Sequence, residues 1–546
     1  MITKSGVGFA GLIMGAILLM GCGATQLVST PIENIDRIPL KVAELTEEEK
    51  KTWGHADLLT DTIPGMSVDK AYKEIIGNRK GKTVIVAVLD SGIDLNHEDL
   101  DGVLWTNSDE KPGNGKDDDG NGYIDDVHGY NFLGTSYNEQ LEYARIVRLG
   151  IGSDEYQAKA RAMVDSEYPE MLQNKQRYEQ ILQVVKSSDE AIKKHLGKDS
   201  YTKNDVNEIK TDDQTLAQQV SVIQQMYAYA ESIPEVMEEL NEGIKYFSEH
   251  VNYYLNVDFN GREEVGDNPY ELNDVGYGNG NPMNLVPDED HGTHVAGIIA
   301  AERNNGLGVD GVANNVQIMS VRAVPNGDEY DKDIALGIRY AVDNGAQIIN
   351  CSFGKSFSPN PEWVYDALKY AASKDVLIVH AAGNDGLDLD SPENPNFPND
   401  QIGTDPEMVD NVITVGSLDS SYGSEMVSGF SNYGKSNVDV FAPGGAIYST
   451  VPGSTYKFMG GTSMAAPGVS GIAALIRSYY PKLTAPEVKK ILIDSGLSAT
   501  ASVVVAGDSD NTKPFNAISK SGKMVNAFNA LIMANKVAQG KIKLAK

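Results

Sequence analysis

Cysteine is nearly absent from this chain. Two occur in 546 residues, Cys22 and Cys351, too few for the disulfide framework of a small secreted domain. Positive charge is also short: 46 Lys and Arg stand against 77 Asp and Glu, a formal net charge of −31. That balance argues against nucleic acid as a partner, because a polyanion would be repelled. It favours solubility and the binding of cations such as calcium. Long apolar runs are missing as well. After the first twenty residues no stretch approaches the roughly 20 apolar residues that a membrane helix needs. The remainder is ordinary for a globular protein, 41% hydrophobic and 23% charged, with more chain than a single core of typical size requires.

The one apolar run is 7–20, preceded by Lys4 and ending in Leu19-Met20-Gly21-Cys22. A positive start, a short apolar stretch and a small residue before a cut describe a secretory signal. The ending resembles the bacterial lipoprotein box, which implies lipidation of Cys22 and export. The mature protein is then expected on a bacterial membrane, on its periplasmic or cell-surface side, held firmly by two or three acyl chains. The second cysteine, Cys351, sits in an apolar strand-like run and reads as a buried small hydrophobe.

Three stretches carry the chemistry. The first is an apolar run of parallel-strand character, 84–89, ending in Asp90-Ser91-Gly92. The second is Asp290-His291-Gly292-Thr293-His294, opening a segment of small apolar residues. The third is Gly460-Gly461-Thr462-Ser463-Met464, at the start of a helix-like run. A serine hydroxyl is a weak nucleophile. It needs a neutral imidazole to take its proton and a carboxylate to orient that imidazole. Asp90, His291 and Ser463 supply these groups, in the chain order Asp, His, Ser. His294 makes an H-x-x-H pair with His291, but the glutamate of a zinc-protease motif is missing. From 306 onward strands (316–321, 347–352, 376–380, 412–415, 438–442) alternate with helices (334–344, 363–373, 463–480, 486–496, 524–538). This predicts an α/β fold, a parallel sheet between two layers of helices.

These stretches resemble the motifs of the subtilisin-like serine proteases: LDSGID at 89–94, HGTHVAG at 291–297 and GTSMAAP at 461–467. Ala381-Ala382-Gly383-Asn384 and Asn350-Cys351-Ser352-Phe353-Gly354 resemble two further motifs of that family. The resemblance covers roughly 65–135 and 265–535. It implies a subtilisin-like three-layer fold and a serine endopeptidase acting on protein or peptide substrates. Asp90, His291 and Ser463 are implied as catalytic, Asn384 as the oxyanion donor, and Ser352, Phe353, Gly354, Ala382 and Gly383 as walls of a substrate pocket. Glycines beside an aromatic give that pocket room for an apolar or large side chain. His294 is implied to be structural. One position departs from the family: the residue after Pro467, often histidine there, is Gly468.

Two segments lie outside the motifs. In 107–132, oxygen-bearing residues alternate at Asp117, Asp119, Asn121 and Asp125, with the Tyr123 carbonyl between them and Gly122 at a sharp turn. Such spacing predicts a structural calcium loop; a solvated acidic turn is the other reading. Residues 137–262 show helical periodicity, interrupted near Gly197, Ser200 and Pro234. They read as an inserted α-helical subdomain, either a lid or docking arm beside the active site or a passive surface addition. The expected organisation is therefore a signal peptide (1–22), a tether and N-terminal arm (23–64), a first catalytic part (65–136), the insertion (137–262) and a second catalytic part (263–546). In the arm, His55 reads as a surface histidine; just beyond it, 68–76 reads as a short amphipathic helix. A surface scaffold or adhesin with a vestigial protease site is the alternative from another class, and an esterase or peptide ligase using the same serine is a third.

Overall fold

Both faces of strand β1 (Val84–Asp90) are buried, which is why it reads as an unbroken apolar run. The computed structural model describes residues 29–33, 35, 41 and 43–544; Cys22 and the signal segment lie outside them. β1 is central in a sheet with β2 (Gly129–Asn131), β3 (Val316–Arg322), β4 (Ile348–Cys351), β5 (Leu377–Ala381), β6 (Val412–Leu418) and β7 (Val440–Pro443). Two hairpins stand apart from this sheet, β8 (Ile447–Val451) with β9 (Thr455–Met459), and β11 (Ser502–Val505) with β12 (Asp508–Pro514). The short strands β10 (Leu497–Ser498) and β13 (Lys523–Met524) complete the order β10-β13-β7-β6-β5-β4-β1-β3-β2. Every neighbouring pair in it is parallel except β10 with β13.

Helices cover both faces. On one, α9 (Asp331–Asp343) and α10 (Pro361–Ser373) share a core with Ala87, Leu89, Val321 and Ile349. On the other, α8 (His291–Ala300), α11 (Thr462–Tyr479), α12 (Ala485–Ser495) and α13 (Ala527–Ala538) share a core with Val86, Val88, Ile318 and Val379. Successive β1 side chains thus go to opposite layers, as the pleat dictates, and each buried valine contributes about 1.5–3 kcal/mol. The expected three-layer α/β architecture is the one observed. The short strands β2, β8, β9 and β10–β13 were not legible, since several have mixed or exposed residues and take their shape from their partners.

The N-terminal arm lies along the catalytic part. Its helix α1 (Glu47–Thr52) opens with a capping box made by Thr46 and Glu49. Trp53 Nε1 donates to Ala446 O at 3.2 Å, and Ile32 N donates to Asn529 Oδ1 at 2.8 Å. The helix expected at 68–76 is present: an α-helical turn, α2 (Val68–Ala71), continues into a wider π-type turn (Tyr72–Ile76) that ends at Gly77. His55 is only partly exposed, at 16%, on the wall of a cavity between the arm and α8, and burial, aided by the Arg303 charge, pushes its pKa down. Met66 explains the departure at Gly468. A Cβ at Gly468 would lie 2.9 Å from Met66 Cε, so Met66 fills the space that a side chain would take.

The segment between β2 and α8 carries α3 (Glu142–Leu149), α4 (Asp154–Leu196), α5 (Lys203–Asn207), α6 (Gln214–Met226) and α7 (Ile233–Glu249). α4 has 43 residues, which makes it about 65 Å long. Ser153 caps its start, and Gly197 ends it in a left-handed conformation. Its far half packs on α6 and α7 through Val185, Ile192, Val220 and Ile223. Its near half packs with α3 through Tyr143, Ile146, Ala160 and Val164, against Phe357 of the catalytic part. The two ends of the segment meet, Ser136 Oγ donating to Gly261 O at 3.0 Å.

Its root is held by buried charge. Arg145, fully buried, pairs with Glu142 (2.6 Å) and donates to the carbonyls of Asp328 (2.7 Å) and Glu329 (2.9 Å). Lys355 Nζ reaches Glu142 at 2.7 Å and Asp331 at 2.8 Å. Arg262 pairs with Asp267 and Asp333, and Lys332 with Asp267. Removing one partner from such a pair costs about 3–5 kcal/mol, because it leaves a buried charge uncompensated. The insertion is therefore fastened to the catalytic part along its root.

Candidate active site

Parallel strands bring their carboxyl ends to one edge of the sheet, where open α/β folds place ligands. Asp90 ends β1, Ser352 follows β4, and Asn384 follows β5. His291 is the first residue of α8. Gly292 lets that helix approach: a Cβ there would meet Gly92 O at 2.2 Å. Asp90 Oδ1 accepts from His291 Nδ1 at 2.8 Å and from the Ser91 amide at 2.8 Å. With its Nδ1–H donated to Asp90, the neutral imidazole presents Nε2 as an acceptor. Burial works to lower the His291 pKa, but the Asp90 charge and hydrogen bond, with Asp290 beyond, outweigh it and raise the pKa. The loop before His291 is anchored by the buried Glu289–Arg322 pair, and Asp290 is paired with Lys457.

Ser463 lies in the first turn of α11. Its Oγ donates to Ser352 O at 3.0 Å, and among the described residues it makes no hydrogen bond to His291. Such contacts often tighten only when substrate binds. Its backbone is fixed by a relay absent from the expectations: Ser470 Oγ to Asn350 Oδ1, Asn350 Nδ2 to Ser352 Oγ, and Ser352 Oγ to Ser463 O, each 2.8–2.9 Å. Asn384 is oriented by Thr462, whose N–H and hydroxyl donate to Asn384 Oδ1 at 2.8 and 3.0 Å. This leaves the Asn384 Nδ2 as the free donor, 3.5 Å from where a Cβ on Gly461 would stand. His294 is fully buried and held by Lys457 O at 3.1 Å; burial pushes its pKa down to about 3, so it is neutral.

A cleft of about 660 Å³ runs to Ser463 and Asn384. Phe353, Gly354 and Gly383 line it, as expected. Ser352 and Ala382 do not: Ser352 is turned toward the Ser463 carbonyl, and Ala382 is wholly buried in the core. The opposite wall comes from the insertion, through Leu141, Tyr143, Met163 and Glu167. A second cavity, about 380 Å³ between the arm and α8, contains none of Asp90, His291 and Ser463.

The acidic loop is built differently from the expected pattern. Asp117 closes its own turn, its carboxylate accepting from the amides of Gly120, Asn121 and Gly122. Asp125 accepts from the amides of Asn114 and Gly115, and Asn121 Oδ1 from that of Tyr123. The Tyr123 ring packs on Tyr130 and Tyr340. The carboxylates that converge are Glu110, Asp119 and Asp126, within 4.8 Å of one another. Of the expected set only Asp119 belongs to this group. These residues fit a hard cation with oxygen ligands. Glu110 Oε2 is buried without a hydrogen-bond partner, and burial pushes the Asp126 carboxyl up to about 6.

A sequence model described as the subtilase family matches residues 81–513. A thermophilic serine proteinase of Bacillus sp. (strain AK1) is 41% identical over 226 residues, 41% of this chain and 49% of that protein. Thermitase of Thermoactinomyces vulgaris is 42% identical over 189 residues, 34% and 61% of the two chains. Subtilisin DY of Bacillus licheniformis is 38% identical over 203 residues, 37% and 68%. The match thus spans about half the length of the first of these relatives. With a family match across most of its length and a carboxylate, an imidazole and a serine hydroxyl on the same sheet edge, this chain belongs to the subtilase family.

Proposed function

We propose that this protein is a serine endopeptidase that cleaves protein or peptide substrates through Asp90, His291 and Ser463. The 2.8 Å bond between Asp90 and His291, on the same sheet edge as Ser463, carries the reading. Ser463 Oγ attacks the scissile carbonyl as His291 Nε2 takes its proton. Asp90 stabilises the imidazolium. The negative charge on the carbonyl oxygen is met by Asn384 Nδ2 and the Ser463 N–H, which lies in a first helical turn without an intrahelical acceptor. His291 then protonates the leaving amine, and water attacks the acyl-enzyme by the same route. Labelling the purified protein with a fluorophosphonate, beside a Ser463→Ala control, tests this. Labelling lost in the control is the expected result; no labelling of the folded wild type would favour a scaffold with a vestigial site.

Calcium bound by Glu110, Asp119 and Asp126 would offset most of the repulsion among three converging carboxylates and fix the loop that leads into β2. A chelator is expected to lower Tm by several degrees, since a site filled at 100 times its Kd stabilises by about 2.7 kcal/mol. Glu110→Gln should abolish that difference, as read by calorimetry with and without added calcium.

Cys22, outside the described residues, is the proposed lipid attachment point of an exported protein. Among the described residues no helix is long and apolar enough to cross a membrane. Cys22→Ala is expected to move the protein from the membrane fraction to the soluble fraction; continued sedimentation with membranes would refute the anchor.

A further inference from the structure

The cleft that ends at Ser463 is acidic on its walls. Glu167, Asp328 and Glu329 line it, and the basic residue that also lines it, Lys355, is fully engaged with Glu142, Asp331 and the Glu329 carbonyl. Asp328 Oδ2 accepts from the Glu142 amide at 2.7 Å. Glu167 accepts from the Tyr143 hydroxyl, which fixes it on α4.

Glu329 is the unusual member. It is 2% exposed, and its Oε1 has no hydrogen-bond partner among the described residues. A buried carboxyl left in this state is costly, whether it is neutral or charged. Burial pushes its pKa up to about 8; Lys355 opposes this, and Asp328 adds to it. The backbone cannot carry the group elsewhere, because Arg145 and Lys355 both hold the Glu329 carbonyl. Oε1 is closed off from solvent at rest, and a turn of the Glu329 side chain toward a donor-bearing cation in the cleft it lines would give Oε1 its missing partner and offset the charge of the ionised carboxylate.

We propose that this cleft is a subsite for a cationic substrate side chain, lysine or arginine, with Glu329 as its counter-ion and Glu167 of the insertion as a second acidic wall. The inference rests on the peptidase reading and deepens it. It also gives the insertion a role: through Arg145 it holds the Asp328–Glu329 carbonyls, and through Met163 and Glu167 of α4 it supplies part of the cleft's wall.

The test uses the full-length Ser463→Ala protein, so that binding is read without turnover. Peptides that differ only by arginine, lysine, norleucine or glutamate at one scanned position are titrated calorimetrically. At one position the arginine or lysine peptide should bind about tenfold tighter than the norleucine peptide. Glu329→Gln should reduce that ratio to near one, and Glu167→Gln should reduce it in part. Both are isosteric, and Glu167→Gln sits on the half-buried face of α4, so a folded variant is available even if the core substitution destabilises. Equal binding of basic and neutral peptides at every position, or a basic preference intact in Glu329→Gln, would overturn the proposal. Parallel cleavage assays on wild type separate the two readings: a cationic preference in binding with no cleavage and no fluorophosphonate labelling would retain the subsite and reject the peptidase.

Discussion

Ser463→Ala is expected to lower kcat/KM by about 10⁶-fold, His291→Ala by about as much, and the double variant by no more than either alone, as in the subtilisin case, because the groups act as a unit. Asp90→Asn should cost about 10⁴-fold. The geometry gives the reason. Asp90 Oδ1 receives the His291 Nδ1 proton at 2.8 Å, and an asparagine amide that donates there instead would move the imidazole proton to Nε2, the atom that must accept from Ser463. The same bond sets the pH profile. The base works deprotonated, and its pKa is raised above the ordinary histidine value. Activity should therefore begin to fall already near neutral pH and drop about tenfold per unit on the acid side. Steady-state assays on a chromogenic peptide from pH 5 to pH 9 measure this; a rate independent of pH across that range would contradict the role of His291.

Asn384→Ala is expected to lower kcat by about 10²–10³-fold, with KM little changed, the magnitude seen when subtilisin loses its oxyanion asparagine. The effect should fall on kcat because Asn384 Nδ2 faces a charge that exists only during the reaction. Thr462 makes that donor rigid by holding the amide oxygen twice, so little reorganisation accompanies charge formation. A loss confined to KM would instead mark Asn384 as a ground-state contact.

Much of this site was legible in the chain because the signals are local. Val84–Asp90 declares a doubly buried strand by its composition, and the small residues after His291 and Ser463 declare helices packed tightly on a sheet. What sequence left hidden is non-local. Glu110 looks like one more surface acid until folding brings it to Asp119 and Asp126. Asp117 and Asp125 fit an alternating ligand pattern, yet each is used by nearby amides to close a turn. Glu142 and Lys355 read as solvated charges, because their pairing joins positions 213 residues apart, and the neighbouring Arg145 is buried only once that pairing forms. Glu329 carries no motif at all; its meaning lies in its burial and its missing partner.

The hydrogen bond between Ser136 and Gly261 has a consequence for the history of the chain. Where two ends of a segment meet, the helices between them can in topological terms be gained, lost or exchanged, with a short turn left behind and the sheet untouched. Glu142, Arg145, Asp328 and Lys355 do not share that freedom. A lineage that dropped the helices while keeping Lys355 would bury an ammonium group short of one carboxylate, and one that kept the helices while losing Glu142 would do the same to two cations. Stability therefore ties these positions together as a set, and the proposed acidic subsite with them, so that gaining or losing the insertion would alter substrate preference in the same step.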